Sequence, residues 1–433
     1  MGSERPADAI GGNAGSSVSK TSVIGDNPTA EPGLGFQDYA EAIADAVRGG
    51  ESPQFTVGLY GPWGSGKTSL LRAIERILSQ DTHTIPVFFD AWRYERSEHI
   101  IVPLLHSVYA IVDEHRGAGD KVTDHLKRAL KSTIYGLSIK IGTPGAGVGL
   151  SAKDVADKWK SEGLPDLDEA FARPFSELRE LWDHLKPTRI VVLIDDLDRC
   201  SPEKVVSVLE SINLVMDVDG FIFVLALDYD VLVSAINTKY THVSGDDFVQ
   251  KIIQLPFRVP ELSLERPETL AELIRNWEEW TDELPEDLPD HLLNISKLGL
   301  ASNPRQIKRL INSFLLLHKL FGPNASDSDL KFLATLLGIQ LRWPQRFRDF
   351  QRATSSTDDS EKWELRYYFQ KRDEEYPDLW RYAERLLPRT MDLDDIWRVL
   401  RLTRAVALDK ESPSGTMLYD DSGNLRESGT SNH

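Results

Sequence analysis

Apolar residues recur along this chain in two rhythms. Continuous short runs, Phe55-Thr56-Val57-Gly58-Leu59-Tyr60, Ile85-Pro86-Val87-Phe88-Phe89, Ile190-Val191-Val192-Leu193-Ile194 and Phe221-Ile222-Phe223-Val224-Leu225-Ala226-Leu227, read as strands buried on both faces. Between them the spacing turns helical. Phe36, Tyr39, Ala40, Ile43 and Val47 line one side of a first helix, and Ser69 to Leu78 and Pro202 to Leu214 repeat the pattern. Strands alternating with helices predict an α/β fold, a parallel sheet covered by helices on both faces. From about residue 262 the spacing is helical almost throughout. The expected organisation is a disordered Gly/Ser/Ala-rich arm over 1–32, a core over 33–260 with a mostly helical insertion at about 98–187, a helical lid and C-terminal region over 261–409, and a loose tail over 410–433.

The first strand runs straight into Gly61-Pro62-Trp63-Gly64-Ser65-Gly66-Lys67-Thr68, followed by Ser69 and a helical pattern. This is a complete phosphate-binding loop in its strand–turn–helix context. Glycines let backbone N–H groups approach phosphate oxygens, and the helix start adds partial positive charge. In such a loop Lys67 reaches the β- and γ-phosphates and the Thr68 hydroxyl binds Mg²⁺. The competing readings are a chance glycine turn and a loop that has lost its nucleotide. A bound nucleoside triphosphate is the expectation.

The strand 189–194 closes on Asp195-Asp196, two carboxylates delivered to the sheet edge where α/β proteins bind ligands. Asp195 is the candidate Mg²⁺ carboxylate, and Asp196 the candidate that orients or deprotonates the attacking water. The alternative is a capping cluster, with Asp198 and Arg199 paired at the surface. Asp228 closes the next strand, as a γ-phosphate sensor or as a cap on the following helix. Asn303-Pro304-Arg305 looks like a helix start, with Asn303 capping and Pro304 at the first position. Arg305 at that defined position suits phosphate oxygens, or belongs to a solvated basic face with Lys308 and Arg309.

Composition narrows the partners. A net charge of −18 over 433 residues argues against a general nucleic-acid surface, although Arg305, Lys308, Arg309, Arg342, Arg346 and Arg348 keep a nucleic-acid-associated ATPase among the alternatives. The one cysteine, Cys200, reads as a small core residue and fits a reducing cytoplasm. No basic-then-apolar leader opens the chain, and no window reaches the ~18 apolar residues of a spanning helix. The nearest stretch, 132–150, is broken by Lys140 and Pro144. Ten tryptophans without regular spacing read as packing residues, and the histidines show no metal-ligand spacing.

With these motifs placed, the chain resembles the KAP-family P-loop NTPases, a family that groups an animal neuronal membrane scaffold with a phage-exclusion protein and many bacterial homologues. The carriers are Leu59 to Ser69, Phe88-Phe89-Asp90-Ala91-Trp92-Arg93-Tyr94, Ile194-Asp195-Asp196-Leu197-Asp198-Arg199-Cys200, Phe248 to Phe257 and Asn303 to Arg309, in that order. The resemblance implies an additional-strand P-loop core, ATP as the nucleotide, and a helical lid whose Arg305 resembles a sensor arginine. It also implies that Gly33-Leu34-Gly35-Phe36 lies near the base. Two departures stand out. Many members carry membrane-spanning helices where this chain has its insertion, and residue 90, often Asn in the family, is Asp. The expected activity is ATP hydrolysis driving a conformational switch that signals to a protein partner or effector subunit, with homo-oligomers open. The expected setting, by family analogy alone, is bacterial defence against phage. The alternative is a nucleotide-stabilised scaffold with little turnover.

Overall fold

The computed structural model describes residues 23–33, 35–49, 54–97, 100–115, 188–215, 218–240, 244–262, 284–322, 325–355, 364–370 and 376–406, with isolated positions between these stretches. Most of the expected insertion and the tail after 406 lie outside them, as do the arm up to residue 22 and the apolar stretch at 132–150 apart from Ile134. Among the described residues, no helix is long and apolar enough to cross a membrane.

The apolar runs all become strands of one parallel sheet: β1 (Phe55–Tyr60), β2 (Thr84–Asp90), β3 (Arg189–Asp195), β4 (Phe221–Leu227) and a short β5 (Leu255–Arg258). Their order is β2-β3-β4-β1-β5. Strand β4 is thus inserted between the phosphate-loop strand and the acidic strand, pairing Leu59 with Ala226 on one side and Leu193 with Val224 on the other. This is the additional-strand P-loop arrangement. It differs from the sequence reading mainly at β5, where Leu255-Pro256-Phe257-Arg258 is too short and too exposed to signal a strand.

Both faces of the sheet are covered, which explains why β4 is buried at every position. Phe221, Phe223, Leu225 and Leu227 join a core with α3 (Ile101–His115), α4 (Pro202–Val215), α5 (Tyr229–Lys239) and α6 (Gly245–Ile252). The intervening Ile222, Val224 and Ala226 are equally buried but lie outside that cluster. With a period of two they face the other way, the side served by α2 (Lys67–Leu78) and, packed on it, α1 (Phe36–Gly49).

The described residues divide between two compact units. Ile24–Glu283 with Ala301–Lys308 forms one, and Leu284–Leu300 with residues from Arg309 onward forms the other. The second unit is helical: α7 (Leu288–Gly299), the later part of α8 (Pro304–Phe321), α9 (Asp327–Arg342), α10 (Pro344–Ser355), α11 (Leu365–Gln370), α12 (Pro377–Leu386) and α13 (Leu393–Thr403). Its core turns on Tyr382, which is fully buried and donates a hydrogen bond to the Thr335 carbonyl at 2.9 Å.

Two glycines make room for that ring. A Cβ on Gly338 would lie 2.1 Å from Tyr382 Oη and 2.8 Å from Ile295 Cγ2, and one on Gly299 would lie 2.7 Å from the ring. Alanine at a helix interior gains about 1 kcal/mol of propensity over glycine. Overpacking costs about 1–3 kcal/mol, and a displaced tyrosine that loses its partner costs about 1–3 more. Gly338→Ala is therefore expected to lower stability by about 1–5 kcal/mol in denaturant titration, and adding Tyr382→Phe should recover part of the loss. A neutral or stabilising Gly338→Ala would show that the slot is looser than this packing requires.

Candidate functional site

The site grows from the C-terminal edge of the sheet. After Tyr60 the chain cannot continue as a strand, because Gly64 (φ 83°) and Gly66 (φ 100°) adopt left-handed backbone. L-residues with side chains rarely take that conformation, so both positions require glycine. At Gly64 a side chain is also excluded sterically, since a Cβ would fall 2.8 Å from both Arg305 Cβ and Asn303 Oδ1. Gly66 caps α2, and Phe36 of α1 lies against it, 3.0 Å from where its Cβ would be. The loop and the N-terminus of α2, whose first-turn amides have no partner within the helix, thus lie together on the wall of one cavity.

Lys67 is buried, with 7% of its side chain exposed. Its Nζ donates to the Gly61 carbonyl at 2.8 Å and the Pro62 carbonyl at 3.2 Å, and pairs with Asp198 Oδ2 at 3.0 Å. The next residue, Thr68, donates its hydroxyl to Asp195. Asp195 ends β3 and is buried, and burial is the main cause that raises its pKa. Asp196 follows in left-handed backbone (φ 56°), a conformation aspartate tolerates better than most residues. Its carboxyl is pushed up to about 6, first by burial and then by the neighbouring Asp195 charge, against the pull of Arg199 at 2.9 Å.

The third side of the site comes from the start of α8. Asn303 caps it, accepting from the Arg305 and Gln306 amides at 3.1 and 3.2 Å. The same side chain donates from Nδ2 to the Trp63 carbonyl at 2.9 Å, fastening the helix start to the tip of the loop. Arg305 then stacks its guanidinium 4.4 Å from the Trp63 ring centroid. Residues Gly64, Gly66 to Ser69, Asp195, Asp196, Asp198, Arg199, Arg305 and Lys308 all line one cavity, with Trp63 at its rim.

Residues 36–321 match the KAP family P-loop domain. The chain belongs to the KAP family of P-loop NTPases. The phage T7 exclusion protein of Escherichia coli (strain K12) is 25% identical over 339 residues, which is 66% of this chain and 42% of that protein. Kinase D-interacting substrate of 220 kDa from Rattus norvegicus is 28% identical over 114 residues, 24% of this chain and 6% of that protein. NTPase KAP family P-loop domain-containing protein 1 from Mus musculus is 40% identical over 78 residues, 17% of this chain and 13% of that protein. The chain spans less than half the length of each of these three relatives.

Within this KAP domain the expected site residues fall as follows. Lys67, Thr68, Asp195, Asp196 and Arg305 share the cavity with Gly64, Gly66 and Ser69, while Gly61 and Pro62 offer it no lining and instead hold Lys67 through their carbonyls. Ser65 turns its hydroxyl toward Gly61, where a Cβ would meet it at 2.5 Å. Asp228 caps α5, accepting from the Asp230 amide at 3.1 Å, and does not line the cavity. Asp90 sits beside Asp195 in register but caps the turn Ala91–Tyr94 and pairs with Arg93 at 3.1 Å; it reaches the site only as a charge that helps raise Asp196.

Two features escaped the sequence reading. Asp198 and Arg199 do not pair with each other at the surface: Asp198 holds Lys67 and Arg199 holds Asp196. A legible signal existed, since Asp195 and Asp198 are three residues apart and a single 3-10 turn, Leu197–Arg199, brings both to one side. Composition also suggested that the arm is structureless to residue 32, yet residues 24–31 are bonded to this unit. The Thr29 amide donates to Ser69 Oγ at 3.3 Å, and Arg76 Nε donates to the Ala30 carbonyl at 3.1 Å.

Proposed function

We propose that this chain binds magnesium ATP in the cavity at the sheet edge, hydrolyses it, and uses the cycle as a conformational switch read by a protein partner. The observation that carries the reading is the convergence of the glycine loop, the Thr68–Asp195 contact, Asp196 and Arg305 on one cavity. The donor set fits the nucleotide. Loop amides and Lys67 are hydrogen-bond donors for phosphate oxygens, and the Thr68 hydroxyl with the Asp195 carboxylate is a hard-oxygen pair suited to Mg²⁺. Bound there, the metal would neutralise charge on the phosphate oxygens.

The residues divide the work. Lys67 exchanges its Asp198 partner for phosphate. Asp196 accepts a hydrogen bond from the water that attacks the terminal phosphorus and takes its proton as the bond to the leaving ADP oxygen breaks. Arg305 stabilises the charge that spreads over the transferred group. Because Asn303 ties the start of α8 to the Trp63 carbonyl, a change at the loop tip is felt at the helix start that carries Arg305. The phage setting is supported by the E. coli relative named for phage exclusion.

Isothermal titration with magnesium ATP, followed by phosphate-release assays on the same protein, tests the reading. Saturable uptake at one site with steady release of phosphate is expected. Uptake without release would favour the scaffold alternative, and no uptake by folded protein would end the proposal.

A further inference from the structure

The cations of this cavity share a property. Each already holds an oxygen partner from the chain itself: Lys67 has Asp198 at 3.0 Å, Arg199 has Asp196 at 2.9 Å, Lys308 has the Gly25 carbonyl at 3.2 Å, and Arg305 has Asp26. The charged lining residues are Asp26, Asp195, Asp196 and Asp198 against Lys67, Arg199, Arg305 and Lys308, so their formal charges cancel, four against four. The side chains therefore offer an entering anion no net positive charge, and each cation it would use must first give up an oxygen partner; the start of α2 and the loop supply the remaining attraction.

Of the acids, Asp195, Asp196 and Asp198 belong to the end of β3 and the turn after it and cannot leave without unmaking the sheet edge. Asp26 is different. It lies on an extended segment before α1, outside any strand or helix. Besides the Thr29 and Ala30 contacts, that segment makes the Arg76–Glu31 pair at 3.7 Å and the Lys308 contact. Asp26 keeps 48% of its side chain exposed while Arg305 keeps only 19%. The carboxylate can return to water at little cost, whereas the guanidinium stays enclosed beside Trp63 and needs an anionic partner. Asn27 and Pro28 line the same cavity, so the segment forms part of the wall a ligand would lie against.

We propose that residues 24–31 form an internal strap, and that the Asp26 carboxylate competes with nucleotide phosphate for Arg305 and so sets the affinity of the site. The inference rests on the nucleotide-binding reading above and adds to it a built-in restraint that a partner can lift by pulling the strap away. A half-exposed ion pair contributes modestly, so relief from competition at this one contact corresponds to about a three- to fivefold change in affinity.

The test uses the full chain as parent, Asp26→Asn and Asp26→Glu, titrated calorimetrically with magnesium ATP at low ionic strength. Amide hydrogen exchange is followed over residues 25–31 in the parent. Asp26→Asn should bind about three- to fivefold more tightly, Asp26→Glu should stay close to the parent, and magnesium ATP should speed exchange in the strap. Asp26→Asn binding no more tightly than a parent that does bind would overturn the strap alone, as would exchange that slows or stays unchanged. Binding by Asp26→Asn where the parent shows none would support it in its strongest form. Uptake by neither protein would sink the strap together with the nucleotide reading.

Discussion

Lys67→Ala is expected to lose magnesium ATP binding altogether in calorimetry, a weakening of more than about 100-fold, and to lose turnover with it. The ammonium sits 7% exposed among two loop carbonyls and one carboxylate, so nothing from solvent replaces it. Its removal also leaves Asp198, itself only 9% exposed, as an uncompensated buried charge. Breaking a buried pair from one side costs about 3–5 kcal/mol, so the single variant should melt at lower temperature. That confounds loss of function with loss of fold. The double variant Lys67→Ala with Asp198→Asn separates them, because it removes the stranded charge without restoring a phosphate partner. Recovered stability with binding still absent is the expected pair of results. If the phage setting is right, plating of phage on bacteria expressing either variant should rise to the level of cells without the protein. Full protection by a folded, non-binding variant would detach the biology from the nucleotide.

How much of this was legible without coordinates depended on the kind of signal. The phosphate loop was readable because its glycines answer a local need: Gly64 and Gly66 take left-handed backbone whatever else the chain does. The strands were readable because burial on both faces leaves no polar alternation, as along Phe221 to Leu227. Partner choice among charges was not readable. Asp198 and Arg199 are adjacent and opposite in sign, and only the 3-10 turn, which sends one toward Lys67 and the other toward Asp196, decides between pairing with each other and pairing across the site. The strap was hidden for a similar reason. A stretch such as Ile24 to Glu31 has little apolar surface of its own, so composition suggests disorder. Among the residues that hold it are Arg76, Ser69, Arg305 and Lys308, 40 or more positions away along the chain, and no local pattern announces them. Asn303 shows both cases in one side chain: its capping of α8 follows from sequence, whereas its bond to the Trp63 carbonyl does not.

Asp196→Asn should separate binding from chemistry and should also make the protein more stable. Asparagine has the same shape and tolerates the left-handed backbone at φ 56°, so the turn is retained. It cannot accept a proton from water, and loss of a general base lowers turnover by about 10²–10⁴-fold while the loop and Lys67 still hold nucleotide. Bound ATP that persists through gel filtration, with phosphate release near background, is the expected signature. The stability gain follows from proton linkage. The Asp196 carboxyl is raised to about 6 in the folded chain, chiefly by burial, whereas in the unfolded chain it titrates near the ordinary carboxylate value. Between roughly pH 4 and 6 the folded state therefore holds a proton that the unfolded state has lost, and stability falls as pH rises through that window. Above it the parent carries a charge the fold disfavours. The variant should melt higher than the parent at pH 7, with the difference shrinking as pH is lowered and vanishing toward pH 4. The same titration predicts that kcat/KM of the parent declines as pH drops below about 6, because the free protein's base becomes protonated. Undiminished turnover in Asp196→Asn would remove this residue from the chemistry, and a melting difference that ignores pH would show that its carboxylate is not strained by its surroundings.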